Sequence, residues 1–250
     1  MPKDTNNEKN LQESINKYWD KRSPEFSKVR RRELLSPDAE RWRDFILNRL
    51  PNATNAKILD IGTGAGFFAV LLAKAGAQVT GIDMSEGMLK EAAANLQTFG
   101  ASAELLRMNA QQPNFADESF DYVISRNLTW TLPDAMEAYR QWHRILKTGG
   151  RLLNFDSDRG KVAFTKKNDA NDVHAGIADE LISECNDIKN SLRISRHTRP
   201  EWDIALLEKI GFSVTCEPDV SPIIQKDEHL KRDELPLFAL CAIKKPLPSI

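Results

Sequence analysis

The sequence predicts an α/β fold, a doubly wound and mainly parallel sheet with helices on both faces. Three observations predict it. From Ala56 to Phe155, apolar strand-like runs alternate with single amphipathic helices, the pattern of βαβ units. The run Lys57-Ile-Leu-Asp60-Ile-Gly62-Thr-Gly64-Ala-Gly66 reads as a buried strand that carries an acid to its end and feeds a glycine turn and a helix. A second acid, Asp83, closes the next strand 21 residues after Gly62, where a carboxylate can hold a ribose diol.

The elements follow in order. A helix runs through Ile15, Tyr18 and Trp19, and a second starts at Ser36-Pro37-Asp38, buries Ala39, Trp42, Phe45, Ile46 and Leu50, and stops at Pro51. Between them, Lys28-Val-Arg30-Arg31-Arg32 reads as a solvated helix face, or as a patch that draws in an anionic substrate. After the glycine turn a helix spans Phe67 to Ala75 and ends at Gly76. Ser85 caps a helix with Met88, Leu89, Ala92, Leu96 and Phe99 at helical spacing, ended by Gly100. Strands are expected at Ala103–Met108 and Phe120–Ser125. Pro133-Asp134 opens a helix with Met136, Tyr139, His143 and Leu146 on one face, closed by Gly149-Gly150 before a strand at Arg151–Phe155. Residues 156–199 form a polar, half-helical insertion with a narrow apolar stripe of Val173, Ile177, Leu181, Cys185 and Ile188. An insertion of that length at the C-terminal end of a strand sits above the ligand crevice of such sheets, as a cap over the substrate. A helix at Pro200–Ile210 and strands at Phe212–Cys216 and Leu237–Ile243 complete the chain.

Composition narrows the function. A chain of 250 residues is expected to be a single domain, and a net charge of −1 speaks against a nucleic-acid binder. Cys185, Cys216 and Cys241 are scattered, without metal spacing or a disulfide framework, so a reducing cytoplasm is the expected location and no metal site is expected. They also exclude a cysteine-held iron–sulfur cluster. The polar start of the chain lacks the apolar core of a leader, and no apolar run approaches a bilayer span, so no membrane partner is expected.

The glycine loop discriminates among adenosine cofactors. A dinucleotide fingerprint is G-x-G-x-x-G, whereas here Phe67 stands at the third glycine's place. Asp60 beside the turn is a poor companion for a pyrophosphate and a good one for an ammonium or sulfonium. An NAD(P)-dependent oxidoreductase is the alternative on the same sheet; no Tyr-x-x-x-Lys pair supports it. A non-catalytic binder of the same cofactor would carry the same loop.

Ile58-Leu-Asp60-Ile-Gly62-Thr-Gly64-Ala-Gly66 followed by Gly81-Ile-Asp83-Met84-Ser85 resembles the class I S-adenosylmethionine-dependent methyltransferases, in particular their small-molecule branch that includes quinone methyltransferases. Phe120-Asp-Tyr-Val-Ile-Ser125, Leu146-Lys-Thr-Gly149-Gly150 and Leu207-Glu-Lys-Ile-Gly211-Phe extend the likeness. The resemblance implies a Rossmann-like seven-stranded sheet whose last strand is antiparallel, and methyl transfer from S-adenosylmethionine, giving S-adenosylhomocysteine, to a small molecule at an O, N, S or C atom. It places Asp60, Gly62, Thr63, Gly64 and Gly66 around the methionine part, with Ser125 and Arg126 beneath it. Asp83 takes the ribose, Met84 packs on the adenine, and Asn109-Ala110 meet its edge. Helices within residues 1–50 would cover the cofactor. Tyr18, Asn127 and Trp130 are candidates for substrate contact, each with a packing role as its alternative; His174 is a further candidate and His197 the candidate catalytic base, each with a plain surface position as its alternative. A monomer or homodimer is expected.

Overall fold

The computed structural model describes residues 5–167, 169, 171–232 and 235–246. Residues 1–4, part of the polar start noted above, lie outside the described residues. The strands are β1 (Lys57–Ile61), β2 (Gln78–Asp83), β3 (Glu104–Arg107), β4 (Phe120–Arg126), β5 (Leu146–Asp156), β6 (Phe212–Glu217) and β7 (Phe238–Lys244). They form one sheet in the order β3-β2-β1-β4-β5-β7-β6. Every pairing is parallel except those of β7, which runs antiparallel to both β5 and β6. The chain winds outward from β1 through β3 and then back through β4 to β5. The order therefore reverses between β1 and β4, and a crevice opens beyond their C-terminal ends.

The helices are α1 (Thr5–Leu35), α2 (Asp38–Leu47), α3 (Phe67–Lys74), α4 (Glu86–Thr98), α5 (Ala135–Ile145), α6 (Asp179–Ser191), α7 (Glu201–Ile210) and the single turn α8 (Ser221–Ile224). Two apolar cores separate the sheet from its covering layers. One joins Leu59, Ile61 and Val123 to Tyr139 and Trp142 of α5, and the other joins Ile58 and Ile124 to Trp42 of α2 and Phe68 of α3. Ser85 caps α4 as expected, its Oγ accepting the Met88 N–H at 3.0 Å.

Three expectations change. The helix before the fifth strand buries Ala135, Ala138, Tyr139, Trp142 and Ile145, while Met136 is exposed and His143 packs its ring on Phe212, 4.9 Å between centroids. Leu146 is not a helical residue: it turns extended (ψ 139°) and opens β5. Gly149 (φ +78°) allows an irregularity within that strand, so Phe120 pairs with Leu146 and Tyr122 with Arg151. The glycine pair thus bends a strand instead of separating it from a helix.

The third change concerns the basic run. It lies inside α1, and Arg30 is buried. Glu33, fully buried one turn later, accepts from Arg30 at 2.6 Å, from Arg126 of β4 through two bonds of 2.9 and 3.0 Å, and from Arg232 at 3.0 Å. Its Oε1 also accepts the Trp42 indole N–H at 3.1 Å. Lys28 and Arg32 stay exposed as a solvated face would, whereas the charge of Arg30 is met internally, by a carboxylate three residues on. Burial alone would raise the Glu33 carboxyl, but Arg126, Arg30 and Arg232 outweigh it and hold the group far below its ordinary value of 4.5.

A folded-state value below the unfolded one means stabilisation that is present above pH 4.5 and lost as the pH falls through and below it. Glu33→Gln is expected to lower the unfolding free energy at pH 7 by about 3–5 kcal/mol, because three buried guanidiniums lose their common partner. Urea unfolding measures it, and the variant should lose less further stability than the wild type between pH 4.5 and 3.

Candidate functional site

The crevice floor is the loop from β1 to α3. Gly62 and Thr63 both donate their N–H to the carbonyl of Ile82 at 2.9 Å, which ties the loop to β2. Gly62 has φ +69°, and a Cβ there would lie 2.8 Å from the Leu128 side chain, so only glycine fits beneath that residue. Gly66, at φ +81°, abuts Ala92 of α4 and packs helix on helix without lining the crevice.

Two carboxylates flank the loop. Asp60 is buried and accepts the Thr63 hydroxyl at 2.6 Å. Burial pushes its carboxyl up to about 7, the Thr63 hydroxyl offsetting part of the rise and Asp83 adding to it. Asp83 accepts the Gly64 N–H at 3.0 Å on Oδ2 and the Ser85 N–H at 2.9 Å on Oδ1. Burial pushes it up to about 6, against these backbone donors, and Asp20 adds to the rise. Among the described residues neither acid has an ion-pair partner. The pair is arranged to meet a cation and hydroxyl donors supplied from outside the chain.

The long helix α1 closes one side. Asp20 reaches to α4, where its Oδ1 accepts the Ser85 hydroxyl at 2.6 Å and the Gly87 N–H at 3.1 Å. Gly87 has no room for a Cβ, which would lie 2.5 Å from the Ser23 hydroxyl. Tyr18, Arg22, Phe26 and Arg30 recur every fourth residue on the inner face of α1, and all line the crevice. The 157–199 segment lies opposite, contributing Arg159, Phe164, His174, Ile177 and Cys185 to the lining. The crevice encloses about 1310 Å³, part of it open to solvent.

Of the residues singled out from the sequence, Asp60, Gly62, Thr63, Gly64, Asp83, Met84, Asn109, Ala110 and Arg126 line this one space, together with Tyr18, Asn127, Trp130 and His174. Ser125 is buried behind it and does not line it. Arg126 lies over Trp42, 4.3 Å from the ring, with both terminal nitrogens on Glu33. The Asn109 amide oxygen accepts the Gln111 N–H at 2.9 Å, and Gln111 in turn bonds Gln12 of α1 at 2.9 Å. His197 does not reach the crevice. Its ring stacks on Trp202, 4.6 Å apart and 14° from parallel, because the turn at Arg193–Arg196 directs it onto α7.

Sequence reasoning missed Arg22, Phe26, Leu128, Arg159 and Phe164. The four-residue spacing of Tyr18, Arg22, Phe26 and Arg30 was the available signal for the first two. It also missed a buried network behind the β4 turn. Arg199 bonds Asp156 at 2.9 Å, Asp203 at 2.8 Å and the Thr129 hydroxyl at 2.6 Å, while Tyr139 donates to Asp203 at 2.6 Å. That network holds the 127–131 turn, and with it Trp130, against α7.

Comparison with known proteins agrees with this geometry. Residues 59–154 match the family described as Methyltransferase domain, a stretch that contains both acids and the glycine loop. A demethylmenaquinone methyltransferase of Listeria welshimeri is 28% identical over 161 residues, covering 62% of this chain and 67% of the relative. A solved S-adenosylmethionine-dependent methyltransferase from Aquifex aeolicus shares the fold with a TM-score of 0.56 at 18% identity, over 87% of this chain and 97% of its own. Phosphoethanolamine N-methyltransferase 2 of Haemonchus contortus, solved in complex with S-adenosylmethionine, gives 0.58 at 21% identity, over 82% of this chain and 52% of its own. The loop, the two acids and the strands from β1 to β5 thus lie in a stretch that matches the Methyltransferase domain family, and the whole seven-stranded sheet shares the fold of these solved S-adenosylmethionine-dependent methyltransferases.

Proposed function

We propose that the crevice binds S-adenosylmethionine along the floor formed by β1, β2 and their following turns, and a small methyl acceptor under the 157–199 segment. The observation that carries this reading is the pair Asp60 and Asp83, two carboxylates held beside a glycine loop with no ion-pair partner among the described residues. Asp60 would hold the α-ammonium group and favour the nearby sulfonium. Asp83 would accept from the ribose hydroxyls. Met84 would pack on the adenine, and Asn109, its amide already oriented by Gln111, would meet the adenine edge.

When bound, the cofactor supplies an electrophilic methyl group. The chain's own work is then to hold, align and dry. Leu128, Trp130, Phe164 and Ile177 give the acceptor side an apolar lining that keeps water from the reacting atoms. Alignment of two bound reactants supplies roughly 7–11 kcal/mol of barrier lowering without a protein nucleophile. Among the described histidines, His174 is the one that lines the crevice, its ring edge-on to Phe164 at 6.4 Å. We place this enzyme in a reducing cytoplasm, as a monomer or homodimer; the cysteines are unpaired, and no described helix is long and apolar enough to cross a membrane.

Calorimetry with S-adenosylhomocysteine and, separately, NADH tests the reading. The wild type is expected to bind the first and not the second, and Asp83→Ala to lose at least about tenfold in affinity, as expected on removing a charged acceptor of two hydrogen bonds. NADH binding, or no binding of either ligand, would withdraw it.

Asp60 separates stability from affinity. Its folded-state value of about 7 stands above the ordinary 3.8, so the ligand-free protein loses stability as the pH rises from 3.8 to about 7. Asp60→Asn is expected to melt at a higher temperature than the wild type at pH 8, with the gap closing toward pH 4, and to bind S-adenosylhomocysteine more weakly. Thermal melts across that range, with and without ligand, check both signs.

A further inference from the structure

In the corner of the crevice between α1, the 157–199 segment and the turn after β4, Arg22 carries a positive charge that no acid among the described residues pairs. Arg22 lines the crevice and is only 5% exposed. Its Nε is buried with no hydrogen-bond partner, and among the described residues no carboxylate stands within ion-pair distance of it. Arg30 and Arg126 likewise have an unpartnered Nε, but they differ from Arg22 in sharing an acid, Glu33. Arg159 enters the same corner, its guanidinium 5.9 Å from the Trp130 ring centre and 5.6 Å from that of Phe164. The charges of Arg159 and Arg22 both reach the Cys185 thiol. Trp130 adds an indole N–H that is buried without an acceptor.

A guanidinium stays protonated at any working pH, and removing it from water without an anion costs several kcal/mol. A ligand that brings the anion recovers that cost. The amino-acid end of the cofactor belongs at Asp60 and the glycine loop, next to Phe26, which lies 3.4 Å from where a Cβ of Gly64 would be. Arg30 packs on the Phe26 ring at 4.9 Å, on the side of that end. Arg22, two turns earlier, faces Tyr18 and Cys185 on the acceptor side.

We infer that the methyl acceptor is an organic acid, a carboxylate or phosphate monoester on an apolar or aromatic body, anchored by Arg22 with the Trp130 indole N–H as a second donor. This rests on the methyl-transfer reading. The acid group pairs with Arg22 in the corner, and the body lies against Leu128, Phe164 and Ile177. Arg22 acts as a specificity residue and takes no part in the transfer itself.

The test is calorimetry on protein saturated with S-adenosylhomocysteine. Benzoate, octanoate and phenyl phosphate are titrated against benzamide, a neutral mimic of benzoate, in the wild type, Arg22→Gln and Arg22→Lys. At least one anion should bind about tenfold more tightly than benzamide, and Arg22→Gln should lose at least about tenfold of that affinity, as for truncating one partner of a desolvated ion pair. Arg22→Lys should keep most of it. Affinity for S-adenosylhomocysteine should change little in both variants, which also reports that they fold; Arg22→Met replaces Arg22→Gln where the latter does not. Anions that bind no better than benzamide overturn the inference and leave the cofactor reading intact. So does an Arg22→Gln variant that weakens S-adenosylhomocysteine as much as the acid, since Arg22 would then hold the cofactor's carboxylate. A wild type that fails to bind S-adenosylhomocysteine brings down the methyl-transfer reading and this inference with it.

Discussion

Glu33, buried among three guanidiniums, is the constraint on which the site's geometry depends. It sits near the C-terminal end of α1, yet it bonds the end of β4 through Arg126, the helix α2 through the Trp42 indole, and a late loop through Arg232. These segments are far apart in sequence and meet at one carboxylate. Such a cluster adds little net stability over an apolar core, but it tolerates few alternative arrangements, because Arg30 and Arg126 have no other acid partner among the described residues and Arg232 has only Asp38 besides. With α1 pinned at this end, its inner face with Tyr18, Arg22 and Phe26 is held across the mouth of the crevice.

Two kinds of charge meet there, and they divide the space. The floor is acidic, with Asp60 and Asp83 kept partly out of water beside backbone N–H groups. The roof is basic, with Arg22 and Arg159 near the apolar surface of Trp130 and Phe164. A cationic cofactor is attracted to the first and repelled by the second, so the arrangement orients it before any specific contact forms. The sheet topology supplies the location, at the reversal between β1 and β4. Asp60, Asp83 and Arg22, which have no ion-pair partner among the described residues, supply the polarity.

The fold was legible because local signals agreed with one another: apolar runs bounded by Gly76 and Gly100, the Ser85 cap, and two acids closing consecutive strands. Leu146 shows where such signals mislead. Helical periodicity assigned it to α5, while strand pairing with Phe120 drew it into β5, a preference set by a residue distant in sequence. The site divides the same way. Asp60, Gly62 and Asp83 are read from spacing because their roles follow from backbone geometry within one βαβ unit. Arg22 and Arg159 were not, since their meaning comes from α1 and the 157–199 segment facing each other across the crevice. Arg30 was misjudged for a related reason: a basic run looks solvated until its buried partner, Glu33, is known. His197 had the right chemistry for a base, but its ring is turned onto Trp202.

Asp20 couples two parts of the molecule that would otherwise be independent. It belongs to α1, but its carboxylate completes the first turn of α4 by accepting from Ser85 and Gly87. Ser85 in turn donates its N–H to Asp83. If α1 swings outward to let a molecule the size of a nucleoside in or out, that turn loses its external acceptor and the Gly87 N–H is left without one. Access to the crevice and the firmness of the turn beside Asp83 are therefore linked. A tightly seated α1 favours retention of whatever lies beneath it, and a loosened α1 softens the same turn, so the rate of ligand exchange and the firmness of the Asp83 turn cannot be tuned separately by changing this one residue.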